Sequence, residues 1–206
     1  VRLELDPDEV GPRKTYATLN AIVIPRPIAW VSTISADGIL NLAPHSFYTV
    51  ASVRPPMVQF TSVGRKDTLT NIEATREFVI NLAPAPLFEQ INASATDFPP
   101  EISEFDAIGV TPEPSRTITA PRVAESPAAL ECTLHTTIPL GDCTLVIGQV
   151  RSIALTPTAL TNNHPTPELL NPLARLDQDN WSTLGPLRQT PRIPYPTWPA
   201  HFTKPH

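Results

Sequence analysis

The sequence predicts a mainly β protein, an antiparallel barrel with a few short flanking helices. Three observations carry this expectation. Roughly six segments of β-branched and aromatic residues alternate with Gly, Pro and Asp turn signals, the pattern of antiparallel β folds. Helical spacing is confined to two or three short stretches. The 26 prolines among 206 residues exclude long helices, above all in the C-terminal third, where TPRIPYPTWP occurs.

The elements follow in chain order. Lys14–Asn20 is expected as a short helix. Ile28–Ser35, IAWVSTIS, reads as a strand, and Asp37-Gly38 supplies a hairpin turn because Gly tolerates positive φ. Ile39–Leu42 returns and runs into a polar, rigid loop holding Asn41, Ala43, Pro44, His45 and Ser46. Phe47–Ala51 is a short apolar segment, ended by Arg54-Pro55-Pro56. Met57–Ser62 alternates as a strand, and Gly64–Asp67 turns. Thr68–Thr75 is expected as a helix capped by Asp67 or Thr68, with Thr70 and Glu73 at capping-box spacing.

Phe78–Leu82 is a strand and Pro86–Ser94 a helix with Leu87, Phe88 and Ile91 on its apolar side. A long irregular connection follows, with a turn of helix near Ser103–Phe105 and a short strand at Arg122-Val123. Ala128–Ile138 and Thr144–Leu155 are the longest strands. Gly148 inside the second marks a bulge or a close backbone approach. One domain over residues 1–185 and a Pro-rich arm over 186–206 are expected, the arm burying Tyr195, Trp198 and Phe202 against a neighbouring surface or staying disordered.

Composition narrows the function. Fifteen Lys and Arg against twenty Asp and Glu give a net charge of −5, unsuited to general nucleic-acid binding. No apolar run nears the ~20 residues of a membrane span, and VRLELDPDEV lacks a signal-peptide core, so a cytoplasmic protein is expected. Cys132 and Cys143 match no zinc pattern and read as buried thiols of a reduced compartment, although they flank one hairpin. No metal site is expected.

Ser62, Arg65, Lys66, Thr68 and Asn71 lie between a strand and a helix start. Backbone N–H groups there favour an anion, and Arg and Lys add charge-assisted donors. The segment suits a phosphate, or is a solvated turn with a cap.

The ordered set RPIAWVST, NLAPHSFY, VQFTSVGRKDTLTNI and EFVINLA, followed by SEFDAIGV, ESPAALECTL, IGQV and NPLARL, resembles the flavin reductase-like family. This group of FMN-binding split barrels includes flavoredoxins and reductase components of two-component monooxygenases. The resemblance covers roughly residues 14 to 184. It implies a six-stranded Greek-key split barrel, a homodimer, and FMN near the interface. It implies that Ser32 and Thr33 lie along the ribityl chain or phosphate. Asn41, Ala43, Pro44, His45 and Ser46 would line the isoalloxazine ring, and Ser62, Arg65, Lys66 and Thr68 would hold the 5′-phosphate. Arg175 would approach the pocket or a partner subunit. Trp181 stands where the family often has Tyr, and either stacks on the ligand or packs in the core or dimer contact. His45 stands where the family often has an aromatic or small residue. It either acts electrostatically on the flavin or packs and makes one hydrogen bond.

The activity implied is hydride transfer from NADH or NADPH to flavin, with reduced FMN passed to a partner monooxygenase or redox protein. A flavoredoxin-type electron carrier and a non-enzymatic binding module are the alternatives. No G-x-G-x-x-G follows a strand, so no separate Rossmann domain is expected and the nicotinamide would stack on the flavin itself.

Overall fold

Ala29–Ile34 forms strand β1, buried along Ala29–Thr33. It is the second strand of a curled sheet, covered on both faces, which explains its unbroken run of apolar and small residues. The computed structural model describes residues 1–200 in backbone, and side-chain surroundings as far as Trp198. Phe202, expected in the arm, lies outside the described residues.

The other strands of this sheet are β2 (Leu40–His45), β3 (Tyr48–Ser52), β4 (Met57–Val63), β5 (Glu77–Leu82), β6 (Ala128–Leu140) and β7 (Cys143–Leu155); short two-residue strands, Arg122–Val123 among them, lie outside it. They form one seven-stranded sheet in the order β2-β1-β5-β6-β7-β4-β3, antiparallel throughout. Seven strands replace the expected six because Phe47–Ala51, read as an apolar segment, is the edge strand β3.

The sheet must close. Its two edges, β2 and β3, are joined by Ser46 and Phe47 alone. Six strand spacings laid flat would span about 29 Å. The connection from His45 to Tyr48 reaches at most about 11 Å. The sheet therefore rolls until its edges meet, and the Thr61 N–H donates to the Phe47 carbonyl at 2.9 Å, carrying the β3–β4 ladder into the two-residue connection. The result is a split barrel.

One apolar cluster gathers Val31, Phe60, Phe78, Ile80 and Val146, with Leu69 and Ile72 inserted from helix α2 (Asp67–Thr75). A second, on the other face of β1, gathers Trp30, Leu42, Ile91, Phe105 and Leu173. Helices α3 (Phe88–Ala93) and α4 (Glu104–Ile108) pack there; α1 (Pro12–Ile22) precedes the barrel. Among the described residues no helix is long and apolar enough to cross a membrane.

Several local expectations change. Asn41–His45 is strand, not loop: Pro44 sits opposite Trp30 on an edge strand, where a missing N–H costs the sheet nothing. The cap of α2 is Lys66, without a side-chain hydrogen bond. Thr70 and Glu73 form no capping box, and Glu73 instead pairs with Arg65. The cysteines do not face each other, since Cys132 sits opposite Val150 and Cys143 opposite Leu140. Both are free; Cys132 is buried, with its thiol pushed up to about 12 by burial, and Cys143 is only half-buried. The arm beyond Gly185 forms a 3-10 turn at Tyr195–Ala200 and leaves Tyr195 exposed.

Gly148 meets both expectations. The β6–β7 register shifts between Ile147 and Gly148. A Cβ there would lie 2.8 Å from Phe78 Cε1 and closer still to Cζ. Phe78 is fully buried and cannot turn away without disturbing the first cluster. Gly148→Ala should therefore destabilise the fold by about 1–3 kcal/mol, the usual cost of overpacking. Urea unfolding would show it as a lowered midpoint at unchanged slope; an unmoved midpoint would mean that the Phe78 ring yields freely.

Candidate functional site

The barrel seam builds the site. Arg26 pins it from outside. Its buried guanidinium donates to the carbonyls of Asn20, Val23 and Leu176, and its Nε reaches Ser46 Oγ at 3.4 Å. The same group lies 5.9 Å above the Phe47 ring. One side chain thus ties the end of α1, the segment after residue 174 and the two-residue seam together.

Against this seam lies a cavity of about 470 Å³. One wall is Asn41 and Ala43–Phe47 with Thr61. A second is the turn into α2, from Arg65 to Thr68. Gly64 makes that turn at φ +71°, donating to the Asp142 carbonyl at 3.0 Å. The third wall is the segment from Ser94 to Phe98 with Pro100 and Glu104. Ser94 anchors it, accepting from Trp30 Nε1 at 2.9 Å.

The polar groups of the cavity fall into two kinds. Asn41 Oδ1 and His45 Nε2 are buried and have no hydrogen-bond partner among the described residues. Such orphans are costly and mark places where a ligand or water completes the structure. Four charged groups, by contrast, already have partners. Glu104 accepts from the Leu42 N–H at 2.9 Å, and burial raises its pKa. Arg65 pairs with Glu73 and Lys66 with Asp97, each at 2.7 Å. The Lys66 hydrogen bond holds the Asp97 carboxyl below the usual carboxylate range.

His45 is neutral at pH 7. Burial lowers its pKa to about 4, opposed by the Thr61 backbone and aided by the Lys66 charge. Its ring packs on Phe60 with centroids 4.7 Å apart. The packing half of its expected role is visible in this contact, while Nε2 carries no hydrogen bond.

Eight of the expected residues line the cavity: Asn41, Ala43, Pro44, His45, Ser46, Arg65, Lys66 and Thr68. Three do not. Ser32 is buried behind the wall, donating to the Pro121 carbonyl and accepting from Asn81 Nδ2. Thr33 accepts from Asn71 Nδ2 at 3.1 Å, and Ser62 donates to the Gly64 carbonyl at 3.0 Å. These hydroxyls hold the scaffold rather than face the cavity. Arg175 and Trp181 also lie away from it. They stack on each other at 4.6 Å, and Trp181, packed against the second cluster, meets the exposed Phe88 edge-on.

Sequence reasoning missed Tyr16, Thr61, Asp97 and Glu104. Thr61 was accessible in principle, because alternation turns it to the opposite face from Ser62. Asp97 and Glu104 carry no local signal; only the fold brings them in.

The split barrel thus carries a candidate small-ligand site: a seam cavity with two cations at a helix start and two buried unpartnered polar atoms. Residues 21–173 match the family described as "Flavin reductase like domain", and the chain belongs to this family. An uncharacterized protein of Aquifex aeolicus is 39% identical over 167 residues, covering 78% of this chain and 85% of its own. Among solved structures, nitrilotriacetate monooxygenase component B from Bacillus cereus superposes with a TM-score of 0.88 at 32% identity, covering 92% of this chain and 99% of its own. The 2-nitrobenzoate 2-nitroreductase NbaA of Pseudomonas fluorescens follows at 0.86 and 27%, covering 94% and 97%.

The burial of His45 has a measurable consequence. Unfolded, its imidazole takes a proton near pH 6.5; folded, not until about pH 4. Between these values the unfolded state binds more protons, so stability falls as pH is lowered, by up to about 1.4 kcal/mol per pH unit. His45→Phe should remove this part of the slope between pH 6.5 and 4 in ligand-free protein. Unfolding curves of the two proteins that run parallel across that window would refute the burial argument.

Proposed function

We propose that the chain is an NAD(P)H:flavin oxidoreductase that holds FMN in the seam cavity. The observation that carries this reading is the meeting of Arg65 and Lys66 with the orphaned Asn41 Oδ1 and His45 Nε2 in one cavity. Cations at the start of α2 suit a phosphate. The unpartnered Asn41 Oδ1 suits an N–H or hydroxyl donor of a flavin, and His45 Nε2 a further polar atom of it. The volume falls within the ~300–1,000 Å³ usual for small-molecule sites.

When bound, FMN supplies the hydride acceptor, and the protein supplies position and electrostatics. Arg65, Lys66 and the Thr68 hydroxyl would hold the phosphate, and Ala43 and Pro44 would let the backbone of β2 approach the ring. Glu104 fixes Leu42 and hence the strand that carries Asn41. Neutral His45 fills the wall without adding charge. The similarity to a monooxygenase component supports delivery of reduced flavin to a partner oxygenase.

Titration should show FMN binding more tightly than riboflavin, which lacks the phosphate. The double substitution Arg65→Glu, Lys66→Glu should weaken FMN by on the order of 3 kcal/mol or more, from two charge-assisted contacts. Equal affinity for both flavins refutes the phosphate site. NADH and NADPH oxidation with added FMN then tests the activity. A protein that holds FMN yet oxidises neither nicotinamide is an electron carrier of the flavoredoxin type.

We also propose a homodimer. Leu19, Ile22, Val23 and Ile24 at the end of α1 are exposed, as are Val50 and Val53 near β3 and Tyr195 on the arm. The run 19–24 supplies an exposed apolar stretch of the kind that a protein partner covers. Sedimentation should give twice the chain mass, and truncation after Gly185 should lower dimer stability. A monomeric full chain would refute this assembly.

A further inference from the structure

The charges around the cavity do not suit an anion as they stand. Its wall carries two cations, Arg65 and Lys66, against three carboxylates, Asp67, Asp97 and Glu104. Glu104 is spent on the Leu42 N–H, and Asp67 opens helix α2. Of the three, only Asp97 sits on a cation, its Oδ1 2.7 Å from Lys66 Nζ.

This ion pair joins two walls of the cavity, bridging residues 31 positions apart in the chain. Both partners are open to water, with side chains 88% exposed for Asp97 and 53% for Lys66. Each is readily hydrated when separated, so the pair breaks at little cost. The Arg65–Glu73 pair differs. Glu73 is 34% exposed, sits on α2 itself and does not line the cavity. On the opposite wall, Ser94 is fixed by Trp30 and by its own bond to the Ile91 carbonyl, so the segment is held just ahead of Asp97.

We propose that Asp97 is a displaceable internal counterion: an incoming phosphomonoester takes over the Lys66 ammonium, and Asp97 turns out into water. The exchange removes one carboxylate from beside the ligand and frees the Lys66 ammonium for the phosphate. Unphosphorylated ligands leave the Lys66–Asp97 pair in place across the cavity. Asp97 thereby lowers affinity for the phosphorylated ligand and reduces discrimination between it and its unphosphorylated counterpart. The inference rests on the phosphate reading of the preceding subsection.

The test is a set of fluorescence titrations of FMN and riboflavin at one ionic strength, with the wild type, Asp97→Asn, Lys66→Met and the double variant. Asp97→Asn should tighten FMN binding about threefold, the scale on which an exposed ion pair competes. Riboflavin affinity should not change. In the Lys66→Met background the effect of Asp97→Asn should vanish, because the cation it competes for is gone. An Asp97→Asn variant that binds FMN no more tightly, while the wild type still prefers FMN to riboflavin, overturns the exchange and leaves the phosphate site standing. Wild-type protein that binds both flavins equally overturns both.

Discussion

The two-residue seam is the constraint on which the structure depends. Ser46 and Phe47 must carry the chain from one edge of a seven-stranded sheet to the other. No flat or gently twisted sheet permits this, so closure is forced by chain length before any side chain is considered. Closure brings the end of β2 beside β4, and the cavity forms where the two meet. Arg26 then secures the junction with donors directed at backbone carbonyls. A guanidinium suits this place because its donors are fixed in a fan and its charge persists when buried.

The same closure decides which side chains face the ligand space. Along β1, successive residues enter opposite clusters: Val31 the first, Trp30 the second. Ser32 and Thr33 fall into this alternation and become ties to Asn81 and Asn71. Asn81 spans three elements, donating to the Trp30 carbonyl and to Ser32, and accepting from the Val123 N–H. These buried polar residues are the internal bracing of a barrel that is thin at its seam. Their hydroxyls and amides resemble ligand donors in composition but are already satisfied.

Much of this was legible in the sequence, and the limits are physical. Asp37-Gly38 announced its turn because Gly38 adopts φ +87°. Gly148 announced its bulge because no side chain fits beside Phe78. The turn after Gly64, expected to run to Asp67, and the cluster around Arg65 were readable from residue type, although Asp67 already belongs to the helix. Pro44 misled, since a proline in a strand is tolerated only at an edge, and edge status is a property of the whole sheet. Ser32, Thr33 and Ser62 misled for a related reason: the inward or outward sense of a strand residue is set by its pairing. Asp97 and Glu104 were silent because their significance arises from neighbours 31 and 62 positions distant.

The strand order also bears on how the protein comes into being. Every residue of the cavity wall lies within the first 104 positions. Yet Thr61, at the seam, is held in register by Leu145 of β7, and β7 ends at Leu155. Strand pairings across such separations close slowly, because loop entropy is lost before the contacts are gained. A nascent chain halted at residue 104 would carry all the cavity-wall residues but lack β6 and β7, the two strands that join β5 to β4. Ligand-binding competence therefore arises late in synthesis, in one step with completion of the barrel.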